Sequence, residues 1–159
     1  MKSLMDYLQT DSNVRIYESA DVLKRLNLAI KTGEPFILTG GYKETHEAVF
    51  KAAKSNNYMF YTVFVDRMKE DDFRETTIDG QKILPDWAAN IIENKNKSLV
   101  VFLFTDKKDY ASLFNILQPI FLDNKLFGTK CSHFIPCIVS TQDLELPRPL
   151  EQRLNSITV

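Results

Sequence analysis

Cysteine is scarce in this chain: 159 residues hold two, Cys131 and Cys137. Two thiols so close in sequence make no framework of bridges, which excludes a disulfide-stapled secreted domain; a reduced, cytosolic protein is expected. No apolar run approaches the ~20 residues of a membrane-spanning helix. The opening residues Met1 to Asp6 are too polar for a secretory signal. An excess of either charge is also missing. The formal net charge is -1 and the sequence pI is about 6.1. That gives no general signature of polyanion binding, although a local basic patch fits inside a balanced total. No repeat, low-complexity tract or proline-rich linker divides the chain. What is present is 44% hydrophobic and 26% charged, an ordinary globular profile. The length suits one domain over 1–159.

The apolar pattern orders the elements. Residues 1–18 form a mixed N-terminal extension, expected to fold over the domain edge. Ser19 is placed to cap a helix through Val22, Leu23, Leu26 and Ile30, which Gly33 closes. Pro35 to Thr39 is a short buried strand that runs into Gly40-Gly41. Residues 44–56 form a helix with Ala48, Val49, Ala52 and Ala53 inward. Met59 to Val65 is aromatic and β-branched, a second strand. Asp66 to about Lys82 reads as a long loop with a turn at Asp79-Gly80. Pro85 suits the first position of a helix carrying Trp87, Ile91 and Ile92. Leu99 to Phe104 is a continuous apolar run, as in a central strand covered on both faces. Asp109 to about Leu122 is amphipathic and helical, bent at Pro119. Phe134 to Ser140 is another buried strand, and Pro136 within it predicts a strand edge or bulge. Leu146 to Val159 is expected to be a short helix and a tail. Strands alternating with helices predict an α/β fold, a three-layer P-loop-like parallel sheet with helices on both faces. Ligands of such sheets sit beyond the carboxyl ends of the strands, here at Gly40, Asp66, Asp106 and Asp143.

The first of these ends has the outline of a phosphate loop. A working loop is G-x-x-x-x-G-K-[ST] between strand and helix; its N–H groups cradle phosphates, its lysine neutralises them and its hydroxyl holds magnesium. Counting from Gly40, the second glycine falls on Thr45, the lysine on His46 and the hydroxyl on Glu47. Thr45 lacks glycine's backbone freedom. A neutral His46 is a poor cation. Glu47 places a negative charge where phosphates approach, and two unit charges about 4 Å apart repel by roughly 1–4 kcal/mol. That offsets much of what a helix N-terminus offers an anion. Lys43 can reach a phosphate from the loop, but from a different position. Alone, Gly40-Gly41 reads more readily as a plain strand-to-helix turn.

Three later segments follow in a telling order. Leu84-Pro85-Asp86-Trp87 precedes a helix. Leu99 to Asp106 is a buried strand ending in an acid, followed by a helix and then Leu122 to Gly128. Ile138-Val139-Ser140-Thr141-Gln142-Asp143 leads into Leu146-Pro147-Arg148 and on to Gln152-Arg153-Leu154. Over residues 20–155 this resembles the core of MoxR-type AAA+ ATPases. The resemblance implies that Thr105 and Asp106 stand where the family has its Asp-Glu pair, which holds magnesium and activates water. Asp143 stands where a sensor asparagine meets the γ-phosphate; an ionised aspartate accepts hydrogen bonds only, and repels. Arg153 matches the arginine that reaches a neighbouring subunit's nucleotide, and is the one catalytic position intact. The family's helical lid, with its second sensor, has no counterpart in this sequence. The segment Arg67 to Asp72 is a solvated loop by composition; in the family the matching loop contacts substrates or partners.

Other constellations compete with this reading. Cys131, His133 and Cys137 lack zinc spacing and a fourth ligand, and Cys137 lies in a buried strand, so no metal is expected. A Cys131–His133 nucleophile lacks an orienting partner. Phe60, Tyr61 and Phe64 are at strand spacing and read as core, not as a base-stacking platform. The expected function is a non-catalytic AAA+-like domain, a regulatory or structural protein-interaction module without a cofactor, partnered by another protein or an AAA+ ring subunit. The alternatives are a weak ATP and magnesium binder using Gly40, Gly41 and Lys43, or an unrelated α/β domain that binds nucleic acid.

Overall fold

Alternation of apolar side chains sets two packing faces on one sheet. In the computed structural model, residues 21–94 and 96–159 are described; the Ser19 cap and the 1–18 extension lie outside them. The strands are β1 (Phe36–Thr39), β2 (Met59–Phe64), β3 (Thr76–Ile78), β4 (Gln81–Ile83), β5 (Ser98–Phe104), β6 (Lys125–Leu126), β7 (Thr129–Lys130), β8 (Phe134–Ser140) and β9 (Asn155–Thr158). The helices are α1 (21–32), α2 (Tyr42–Ser55), α3 (Asp86–Glu93), α4 (Ala111–Asp123) and α5 (Arg148–Arg153). Five strands form a sheet in the order β2-β5-β8-β1-β9, with every pairing parallel. Leu99, Val101 and Leu103 of β5 point to one face, against Leu26 and Ile30 of α1 and Val49 and Ala52 of α2. Val100, Phe102 and Phe104 point to the other, against α3, α4 and Leu150 of α5. That is the expected three-layer α/β architecture, and every residue of β5 and β8 is buried. Among the described residues no helix is long and apolar enough to cross a membrane.

Several expectations need correction. The segment after Arg153 is not a tail. Asn155 to Thr158 pairs in parallel with Phe36 to Thr39, so β9 completes the sheet. Four residues are too few for a clear alternation, and only Ile157 is buried. Pro136 lies in an inner strand without a bulge. Gly40 N–H bonds to the Ser140 carbonyl, so even-numbered residues of β8 turn their backbone groups toward β1. Pro136 keeps that orientation, but β1 pairs with β8 only from Cys137 onward. Its missing N–H therefore removes no ladder bond.

The stretch 66–82 is not a bare loop. It holds two 3₁₀ turns, Val65–Arg67 and Glu70–Phe73, and the β3–β4 hairpin. Asp79 and Gly80 both have positive φ, 53° and 79°, as a two-residue hairpin turn of the primed type needs. Phe73 is buried, and the Trp87 indole N–H donates to the Asp72 carbonyl. Pro85 stands one residue before α3, and α4 passes through Pro119 and ends at Asn124 in the left-handed conformation. Gly33 ends α1 with φ 71°, as expected.

Phe102 is fully buried at the centre of the sheet, with Trp87 edge-on at 5.6 Å and Phe121 at 5.6 Å. Phe102→Ala should lower unfolding free energy by about 3–5 kcal/mol in urea denaturation. A loss under about 1 kcal/mol would mean that the face is not packed as described.

Candidate functional site

At the end of β1 the chain turns into α2 within two residues. Gly41, extended at φ -60° and ψ 146°, is the N-cap, and Tyr42 is already helical. The helix thus begins two residues earlier than its sequence pattern predicts. Residues 42–47 form its first turns and no loop is left to encircle a phosphate. Thr45 is fully buried and its hydroxyl bonds back to the Gly41 and Tyr42 carbonyls, at 2.9 and 3.0 Å. It has no need of glycine's freedom, which corrects the reading of Thr45 as a strained loop residue. His46 is exposed and stacks on Tyr42 with ring centroids 5.9 Å apart. Lys43 and Glu47 are exposed on the same helix.

Gly40 is closely packed by the chain itself, and the end of the exposed, flexible Glu44 side chain lies beside Gly41. A Cβ added to Gly41 would collide with the Glu44 carboxylate, which lies across the first turn of α2. A Cβ on Gly40 would sit 2.9 Å from the Val159 Cβ and 3.3 Å from the Thr45 methyl. Val159 is held there by its N–H on the Thr39 carbonyl, at 2.9 Å. A phosphate approaching this turn would meet a carboxylate over the helix N-terminus and an apolar side chain over the strand end. These residues do not fit the triphosphate and magnesium that a phosphate loop carries.

The ends of β5 and β8 lie side by side. Thr141 N–H donates to the Phe104 carbonyl, and its hydroxyl donates to the Thr105 carbonyl at 3.3 Å. The Tyr110 hydroxyl donates to one Asp106 carboxylate oxygen, and the Lys108 ammonium lies 3.1 Å from the other. The Tyr110 hydrogen bond, with help from Lys108, holds the Asp106 carboxyl below the usual carboxylate range against its partial burial. Burial first, and then the negative charge of Asp106, push the Tyr110 hydroxyl well above its ordinary value, with Asp66 adding to the effect. Asp143 is exposed three residues past β8. It lines an open groove of about 670 Å³ with Lys107, Tyr110, Asn115 and Leu144.

Arg153 is not near these groups. It ends α5, and β9 then starts level with Phe36, the opposite end of β1 from Gly40. Four strand residues separate those levels by about 13 Å. Arg153 is exposed and has no ion pair among the described residues. The structure thus groups Gly40, Gly41, Lys43, Thr45, His46 and Glu47 at one strand end, with Thr105, Asp106 and Asp143 at the same edge of the sheet. It sets Arg153 apart. Cys137 is fully buried in β8, and burial pushes its thiol up; the His133 Nε2 lies 3.0 Å from the Ile91 carbonyl oxygen.

This strand order, with strand ends aligned on one edge and helices on both faces, is the expected three-layer P-loop-like α/β fold. Two solved structures of RuvB from Thermotoga maritima share it. The P216G mutant superposes with a TM-score of 0.55 at 15% identity, covering 89% of this chain and 46% of that one. The RuvB Holliday junction branch migration motor superposes with a TM-score of 0.51 at 15% identity, covering 88% and 44%. At this identity the likeness is one of fold, and the chain spans under half the length of either neighbour. No family model matches the chain, and no curated protein is similar to it.

The sequence reading passed over three residues that shape this edge. Glu44 was legible in principle, since an acid three residues after an N-cap favours a helix start. Tyr110 lies one helical turn beyond Asp106. Val159 carries no local signal, because its place depends on β9.

The lowered Asp106 pKa makes a signed prediction. A depressed carboxylate contributes stability above the ordinary pKa of ~3.9, and loses it as pH falls through the lower folded value. The midpoint of Asp106 by carboxyl NMR should lie below that reference, and Tyr110→Phe should raise it. The stability gap between the two proteins should close as the solution is acidified below about pH 4. An unmoved Asp106 midpoint in Tyr110→Phe would contradict the pairing.

Proposed function

We propose that this chain is a non-catalytic AAA+-like domain, a pseudo-ATPase of MoxR-like kind that acts through protein contacts. Its role is regulatory or structural, and its partner is a protein such as a subunit of an active AAA+ ring in the cytoplasm. The observation that carries this reading is the strand end where phosphates would bind. Glu44 covers the first turn of α2 and Val159 covers Gly40. The altered positions agree with it. Thr105 offers no carboxylate for a metal, Asp106 is engaged by Tyr110 and Lys108, and Asp143 repels a γ-phosphate. Arg153 supports the second half of the reading. An exposed guanidinium on the helix that precedes β9, whose start is level with the end of β1 opposite Gly40, serves a neighbour's site better than its own. Its rigid five-donor fork suits phosphate.

Calorimetric titration with ATP and with ADP, each with and without magnesium, should show no binding in the micromolar range. Micromolar, magnesium-dependent binding would instead support the weak nucleotide binder. Arg153→Ala should keep its melting temperature and weaken binding to an AAA+ ring partner about tenfold, or 1.4 kcal/mol. Unchanged affinity would remove Arg153 from the interface. Binding of DNA that falls steeply with salt would favour the nucleic-acid alternative.

A further inference from the structure

The two edges of the sheet are treated differently. On β9, Asn155 and Val159 donate inward to the Pro35 and Thr39 carbonyls, so Ser156 turns outward; its carbonyl accepts a hydrogen bond from the Arg25 guanidinium at 3.1 Å. That edge is blunted. On β2, Met59 donates inward to the Lys97 carbonyl at 2.8 Å, so Met59, Tyr61 and Val63 face β5. Phe60, Thr62 and Phe64 therefore turn their N–H and C=O groups outward, with no backbone partner among the described residues. The strand is Met-Phe-Tyr-Thr-Val-Phe, without a charge, proline or bulge. Among the described residues, none of the usual protections of an edge is present on β2.

An aromatic stripe rises beside this edge. Tyr42, His46 and Phe50 recur at helical spacing on the outer side of α2. Tyr42 and Phe50 are each 49% exposed. His46 and Phe50 both meet Phe60 edge-on, at 5.7 and 6.2 Å. Phe60 and Phe64 were expected to be core; they are half-buried because β2 is the sheet margin.

We propose that this margin is a pairing surface for a second copy of the chain, joined β2 to β2 in antiparallel fashion about a two-fold axis at Thr62. An isolated extended peptide would cover the strand but leave the stripe on the helix layer open. A second copy brings its own α2 to the same level, so one docking covers both. Charge sets the direction. The helix runs back along the strand, so Lys51 and Lys54 lie toward the start of β2, where the Lys97 ammonium sits 5.9 Å over Tyr58. Glu44, Glu47 and Asp66 lie toward its end, against Lys43 and Arg67. Antiparallel pairing sets each basic end against the partner's more acidic one, and parallel pairing would set like against like. This goes beyond the nucleotide question and stands whichever way that is answered.

Sedimentation equilibrium of the full chain tests it. A concentration-dependent dimer is expected. Thr62→Pro removes an outward N–H that the monomer does not use, and Phe50→Glu puts a charge in the stripe. Each should raise the dimer dissociation constant at least about tenfold, with circular dichroism and melting temperature unchanged. Where Thr62→Pro does not fold, Phe50→Glu decides alone. A chain that stays monomeric up to about 1 mM overturns the proposal and leaves the edge to residues 1–20 or to a different protein. A dimer that Phe50→Glu leaves intact overturns it too.

Discussion

The pairing of β1 on both sides governs this molecule. Four residues, Phe36 to Thr39, carry the register of β8 on one flank and of β9 on the other. The β8 side fixes the height at which β1 ends relative to the ends of β5 and β8. The β9 side brings the last described residue, Val159, over Gly40. On the other side of that position the chain turns into α2 within two residues. Without encircling N–H groups, the positive end of a helix has no cradle to present, and Glu44 reduces the attraction that is left.

The other changed positions make physical sense beside a closed strand end. A carboxylate that need not hold a metal is free to serve the fold. Asp106 does so by joining Tyr110 and Lys108, which ties the loop after β5 to the start of α4. Thr105 gives its carbonyl to Thr141 and so locks the ends of β5 and β8 together. Arg153 keeps none of these duties. It is exposed, just before β9 begins level with Phe36.

Much of this was legible in the sequence, where periodicity was long enough to speak. The apolar runs 99–104 and 134–139 became two inner strands. The alternation of strand and helix gave the α/β layering. Asp79-Gly80 identified its turn, though the strands on either side are exposed and too short to show a pattern. β9 was missed for the same reason, and with it the cover over Gly40. Pro136 misled because a proline's effect depends on which neighbour its nitrogen faces, and that is a property of the assembled sheet. At the strand end, counting to a motif assumed a loop of fixed length. The register of Thr45, His46 and Glu47 against a phosphate loop fails once the helix starts at Tyr42. The residue types at the strand end can be read from the sequence; the way the turn is closed needed three dimensions.

The closed strand end is tested most directly by hydrogen exchange of individual amides, with and without millimolar magnesium-ATP. Gly40, Thr45 and Val159 each donate a backbone hydrogen bond there, to Ser140, Gly41 and Thr39. The account predicts slow exchange at all three, unchanged by nucleotide. Fast exchange at Thr45 and Val159 that becomes slow on adding magnesium-ATP would mean that the turn opens to take a phosphate, and would contradict it.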